Sequence, residues 1–246
     1  MDQDHVHTKL LYAFTKDRSI GIPENCIIDL GNTMSENVLK VIVKEASIPN
    51  TMYNVTPFNN TIVVQGITYT IPKGHYDITT LITTLQNTLA IYGLVITNNL
   101  MTYKLTFTTT GPVTYSSQSN GSTIGRVIGL DRLVDLTTAS AQLPYIYDLS
   151  GPSMLFLYSN ELCGKNSNMA TTNGNKPALV NFIVNAPFGE FITFIIRENE
   201  TDSIDFDSYY NLRTFGMKLV NEYGEQVDLN GGEYMVIFKI FISTHR

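Results

Sequence analysis

The chain has 246 residues, with 16 Lys and Arg against 22 Asp and Glu, and a formal net charge of −6 at pH 7. Charged residues make up only 15% of it, against roughly 25% in an average globular domain, and Thr and Asn take the polar positions instead. No basic stripe is present, so no nucleic-acid partner is expected through phosphate neutralisation.

This length can bury one real core without disulfides or metals, as one domain or one domain with a substantial insertion. A thinly charged surface suits a chain whose faces meet other protein, because interface cores are depleted in charge. An ordinary β-sandwich is the other reading of the same composition. The start, Met1-Asp2-Gln3-Asp4-His5, has neither a basic nor an apolar region and does not read as a signal peptide. No apolar run approaches the roughly 18 residues of a membrane helix, so no membrane insertion is expected. Cys26 and Cys163 read as buried free thiols in a reducing compartment, although one disulfide is arithmetically open. The sequons at Asn54, Asn59, Asn120 and Asn199 read as chance products of an Asn- and Thr-rich chain.

In chain order, the first strands are predicted near Leu10–Phe14, Cys26–Leu30 and Val38–Ala46. Asn50 to Asn60 is a polar linker. Ile67, Tyr69 and Ile71 alternate with Thr68 and Thr70, the period of a half-buried strand. Ile78, Leu81, Ile82, Leu85 and Leu89 recur at helical spacing, with Asp77 placed to cap the helix and Gly93 to stop it. Its polar face is coated with Thr79, Thr80, Thr83, Thr84 and Thr88, although Thr is a mediocre helix former. That coat marks either a contact surface or compositional drift. Met101, Tyr103, Leu105 and Phe107 alternate with Thr102, Lys104, Thr106 and Thr108, which predicts a strand with those four side chains buried. Thr109 to Gly125 is a Thr-, Ser- and Gly-rich linker.

Further strands are predicted at Met154–Ser159, Leu179–Val184, Phe191–Arg197, Arg213–Val220 and Tyr234–Ser243, and Asn160 to Pro177 is a long exposed loop. The runs Met154–Tyr158, Phe191–Ile196 and Met235–Ile242 are apolar without alternation and predict strands buried on both faces. Outside the segment from about Asn50 to Asp148 there are eight strands, the number in a jelly roll. The predicted fold is mainly β: a single eight-stranded jelly-roll β-sandwich over 1–49 and 149–246, with a small α+β insertion domain over 50–148.

The sequence contains no phosphate loop, no G-x-G-x-x-G, no nucleophile elbow and no zinc motif. His5 and His7 lie beside Asp2 and Asp4, His75 precedes the helix, and His245 is penultimate. A weak metal site at His5 and His7 is the lesser reading, and all four read as solvated. The acidic run Glu198 to Asp202 with Asp205 and Asp207 has hard oxygen ligands but not an EF-hand spacing, and reads as a solvated loop. No catalytic, cofactor-binding or metal-binding residue is assigned, and an enzyme is not expected.

A resemblance then becomes visible. Val43-Lys44-Glu45-Ala46-Ser47-Ile48-Pro49-Asn50-Thr51-Met52-Tyr53-Asn54-Val55 resembles a strand-to-turn segment of penton and minor capsid proteins. These come from the adenovirus-like lineage of double-stranded DNA viruses, which includes virophages and polinton-like viruses. Ile71-Pro72-Lys73-Gly74-His75-Tyr76-Asp77, leading into Leu81, Leu85 and Leu89, is similar to the element that follows. Ile124 to Leu130, Leu155 to Asn160, Leu212 to Leu219, and Gly224 with Val227 to Gly231 are similar to later segments in the same order. The resemblance spans about residues 38 to 243. It implies a single jelly roll that forms pentamers at five-fold vertices, contacts the major capsid protein and resides in the virion. The chain departs from the family in being short for a penton and in lacking an Arg-Gly-Asp motif. Two other classes stay open: a carbohydrate- or receptor-binding β-sandwich module using Asn160 to Pro177, and a β-sandwich hydrolase or lyase, which the absence of Trp disfavours.

Overall fold

Alternating apolar and polar residues give most of the chain extended structure. A computed structural model describes residues 6–31, 35–162, 169–171, 174–176, 178–196 and 204–243. The strands are β1 (Val6–Phe14), β2 (Ile20–Ile22), β3 (Asn25–Asp29), β4 (Ser35–Pro49), β5 (Thr61–Val64), β6 (Ile67–Thr70), β7 (Val95–Asn99), β8 (Lys104–Tyr115), β9 (Leu136–Gln142), β10 (Met154–Tyr158), β11 (Met169–Thr171), β12 (Gly174–Lys176), β13 (Val180–Ile183), β14 (Phe191–Ile195), β15 (Ile204–Leu212), β16 (Thr214–Asn221) and β17 (Met235–Ser243). Two α-helices, α1 (Ile78–Thr88) and α2 (Gly125–Ile128), interrupt them. The chain divides into two compact units, Met1–Met52 with Pro152–Arg246, and Tyr53–Gly151.

The first unit is an antiparallel β-sandwich. One sheet, here sheet I, has the order β1-β17-β4-β14, with β15 also paired to β4. The other, sheet II, has the order β13-β10-β16-β3-β2. Each of the eight strands predicted outside the segment from Asn50 to Asp148 is present, with ends shifted by up to four residues. Strands β2 and β15 and the hairpin β11–β12 are additional.

The core lies between the sheets. Phe215, Met217 and Leu219 of β16 face Val236, Phe238 and Ile240 of β17, all at most 1% exposed. The Phe215 and Phe238 rings meet edge to face at 5.5 Å, and those of Phe182 and Phe194 at 5.2 Å, so aromatic pairs cross from sheet to sheet. Strand β4 feeds this core with Val41, Val43, Ala46 and Ile48. The step of three between Val43 and Ala46 breaks strict alternation. The β4–β17 register shifts at that point, and a bulge restores the inward face after the extra residue.

The second unit is a sheet of order β6-β5-β8-β7, with β9 also on β8, and α1 contributes to its core. Hairpin β5–β6 turns through Gln65 and Gly66, both with positive φ (52° and 76°), the geometry that lets a two-residue loop follow the strands' twist. Asp77 caps α1 by accepting from the Thr80 amide, while the Thr80 hydroxyl bonds back to the Asp77 backbone. Leu81, Leu85 and Leu89 are fully buried with Leu105, Phe107 and Tyr115. On the Thr-coated face, the hydroxyls of Thr83, Thr84 and Thr88 donate to carbonyls four residues back. The helix thus absorbs its own polar groups.

Five expectations need correction. The α-helix ends at Thr88. A 3-10 turn over Ala90–Tyr92 follows, and Gly93 terminates that turn in the left-handed region. Met101 and Tyr103 are not strand residues, and they are 93% and 57% exposed. Asn99 takes the amides of Met101 and Thr102 on its side chain and that of Tyr103 on its carbonyl, so a turn forms and β8 begins at Lys104. The Thr109–Gly125 linker is strand as far as Tyr115. Phe191–Ile196 is not buried on both faces. Strand β14 lies at the sheet edge, where Ile192 is buried while Phe191 and Ile195 are 59% and 67% exposed. Ile67, expected inside, is 55% exposed beside the hairpin turn.

Candidate functional site

The residues considered for chemistry do not converge. His7 is exposed on β1 and His75 is exposed ahead of α1. His5, His245, Cys163 and the acidic run Glu198 to Asp202 lie outside the described residues, as do the side chains of Asp205 and Asp207 and half of Asn160 to Pro177, where the expected loop also carries the β11–β12 hairpin. Among the described residues, no three His, Cys, Asp or Glu side chains group around a common point. No helix among them is long and apolar enough to cross a membrane.

The sequon asparagines within the described residues hold loops. Asn54 is 4% exposed, donates to the carbonyls of Tyr76 and Leu149 at 2.7 and 3.0 Å, and accepts from the Tyr76 amide at 2.8 Å. Asn59 donates to the Asn54 carbonyl, and Asn120 to the Asp135 carboxylate. The amide nitrogen of Asn54 is therefore committed to the fold.

Polar groups of the sandwich are likewise structural. Thr15 bonds Glu233 and the Tyr234 backbone, and Arg18 pairs with Glu233 at 2.7 Å. Glu24, 3% exposed, accepts from the Leu229 amide. Cys26 is a free, buried thiol, and burial pushes its pKa up to about 11, which keeps it protonated.

Part of what the sandwich presents outward is apolar. Directly opposed residues of an antiparallel pair share a face, so register alone locates the outer side of sheet I. One row across it reads Tyr12, Ile237, Glu45, Ile195, and the next reads Phe14, Met235, Ser47, Thr193. Leu10 and Tyr12 on this face are 45% and 54% exposed, beside Phe191 and Ile195 on the opposite edge. Small Ser47 leaves a shallow open groove of about 260 Å³ lined by Phe14, Met235 and Phe191, with Lys16 and Glu233 also on its wall. Lys40 and Lys239 lie over the Phe241 ring at 5.5 and 5.4 Å, so part of the charge on this face rests on aromatic surface.

Sheet II has a smaller counterpart. Ile20 pairs with Ile27, and Ile22 follows two residues on, so all three stand on the outer face of the β2–β3 hairpin, at 66%, 40% and 52% exposure. Cys26 and Ile28, on the other face, are in the core.

The run Met235–Ile242 was expected to be buried on both faces, and its outward residues Met235, Lys239 and Phe241 are instead partly exposed. A sandwich covers only the inner side of each sheet, and an apolar outer side asks for something more. The hairpin isoleucines had no signal in the sequence, since Ile20-Gly21-Ile22 is too short to show a period.

No protein-family model matches this chain, and no curated protein does. Among solved structures it is similar to the crystal structure of the selenomethionine-labelled mavirus penton protein, at 13% sequence identity and a TM-score of 0.45, over 98% of this chain and 100% of that one.

Proposed function

We propose that this chain is a structural capsid protein, the five-fold vertex (penton) subunit of an icosahedral double-stranded DNA virus, acting by self-assembly and by contact with the major capsid protein. One observation carries the reading. Taken in sequence order, β1, β3, β4, β10, β13, β14, β16 and β17 pair as first-eighth-third-sixth in sheet I and fifth-fourth-seventh-second in sheet II. That interleaving is what a double Greek key would give and supports a jelly roll, an architecture of viral capsid domains. Residues 1–49 and 149–246 would form it, with 50–148 inserted as an α+β domain. The apolar outer sides of both sheets support a role in which sandwich walls are covered by other protein. The segment order that resembles the penton family over residues 38 to 243 supports the vertex over other capsid positions.

The test is incorporation. The full chain is co-expressed with the major capsid protein of a virus that encodes it, and the particles are imaged by cryo-electron microscopy. The expected result is five copies of the chain around each five-fold axis. A chain absent from assembled particles, or one found as a trimer in the flat faces of the shell, refutes the assignment.

A further inference from the structure

We infer that copies of this chain associate head to tail, with the outer face of sheet I on one copy receiving the β2–β3 hairpin of the next. The inference takes the self-assembly part of the proposed capsid role as given and names the two surfaces that perform it.

Area comes first. Allowing roughly 200 Å² for a fully exposed side chain of this size, Leu10, Tyr12, Phe191 and Ile195 expose about 450 Å², and Ile20, Ile22 and Ile27 about 300 Å². One side of a standard protein interface buries about 800 Å², of which somewhat over half, about 450 Å², is apolar. The sheet I patch therefore supplies the apolar share of one side, and the hairpin supplies most of the other.

Geometry then selects the partner. The patches lie on the outer sides of different sheets, so they face away from one another across the sandwich core. A two-fold pairing of either patch with itself would leave the second bare. A heterologous contact covers both with one repeated interaction, because every copy carries one face and one hairpin. The sheet I face is concave at Ser47, between Phe14, Met235 and Phe191. The hairpin is two strands wide and carries three β-branched side chains on its outer side, while its turn residues Pro23 and Glu24 are buried.

The experiment uses the full chain with one substitution in each surface, Phe191→Asp in the face and Ile22→Asp in the hairpin. Both residues are more than half exposed, and circular dichroism and thermal unfolding check that the fold is retained. Native mass spectrometry and sedimentation velocity follow the oligomer over a concentration series. The wild type is expected to form a closed oligomer and each variant alone to be monomeric. An equimolar mixture of the two variants is expected to give a dimer and nothing larger, since only one competent face and one competent hairpin remain. Variants that assemble like the wild type, a mixture that stays monomeric, or a wild-type chain that remains monomeric throughout would each overturn the inference. A wild type that assembles through other surfaces overturns these faces and leaves the capsid reading standing. Assembly through these faces without entry into particles overturns the capsid reading alone.

Discussion

Replacing Asn54 with Ala tests how the second unit is closed. The side chain ties the start of the unit to Tyr76, just ahead of α1, and to Leu149 at its end, through three hydrogen bonds of 2.7 to 3.0 Å. A hydrogen bond contributes about 1 kcal/mol net, and more where its loss leaves a buried group unpaired. Asn54→Ala should therefore destabilise the unit by about 3 kcal/mol, a large share of the roughly 5–15 kcal/mol that holds a domain together. Urea unfolding reports the total, and hydrogen exchange at the Tyr76 amide and the first turn of α1 reports where it is lost. Asn54→Asp sharpens the test. The carboxylate still accepts from the Tyr76 amide, but its second oxygen then faces two carbonyls. Burial and those carbonyls raise its folded-state pKa above the unfolded value of about 3.9. The protonated form can donate, so stability is fully present below the unfolded pKa and is lost as pH rises through the folded one. Asn54→Asp should thus be the weaker variant at neutral pH and recover in acid. A loss below about 1 kcal/mol for Asn54→Ala, or a pH-independent Asn54→Asp, would refute this account.

Two further outcomes follow from local geometry. Gly129 and Gly66 both have positive φ, but a Cβ on Gly129 would sit 2.2 Å from the Tyr145 carbonyl oxygen while one on Gly66 meets nothing within 4 Å. Gly66→Ala should cost about 1 kcal/mol of backbone strain, and Gly129→Ala about 3 kcal/mol or more because backbone must move, as measured by thermal unfolding. Cys26, with its thiol pushed up to about 11 from 9.0, should hold about a hundredfold less thiolate at pH 8 and resist iodoacetamide until urea is added. Peptide mapping distinguishes its labelling from that of Cys163, and rapid native labelling at Cys26 would contradict its burial.

Much of the fold was legible because its signals are local. Strand β16 alternates Phe215, Met217 and Leu219 with more polar neighbours, and an alternating chain has one way to hide its apolar side. The start of α1 was legible for the same reason, since Asp77 and Thr80 satisfy each other's backbone within four residues. The turn at Leu100 to Tyr103 was not. Its alternation matches a strand, but Asn99 offers the backbone a nearer set of hydrogen bonds. The end of β8 was missed for the opposite reason, because Thr-rich sequence reads as linker until a neighbouring strand supplies its partners.

The candidate surfaces divide along the same line. By itself the sequence determined that the chain is strand-rich, thinly charged and in places apolar on both sides of a strand, because composition and period are properties of neighbours along the chain. Only the tertiary structure decided which of those strands lie at edges, so that Phe191 and Ile195 are exposed while Phe156 and Leu157 are buried. It also decided that Leu10, Tyr12, Ile237 and Ile195 share one face and that Ile20, Ile22 and Ile27 share another. The reason is physical: a face is made by register between strands far apart in sequence, and register is set by pairing partners and bulges that no local period records.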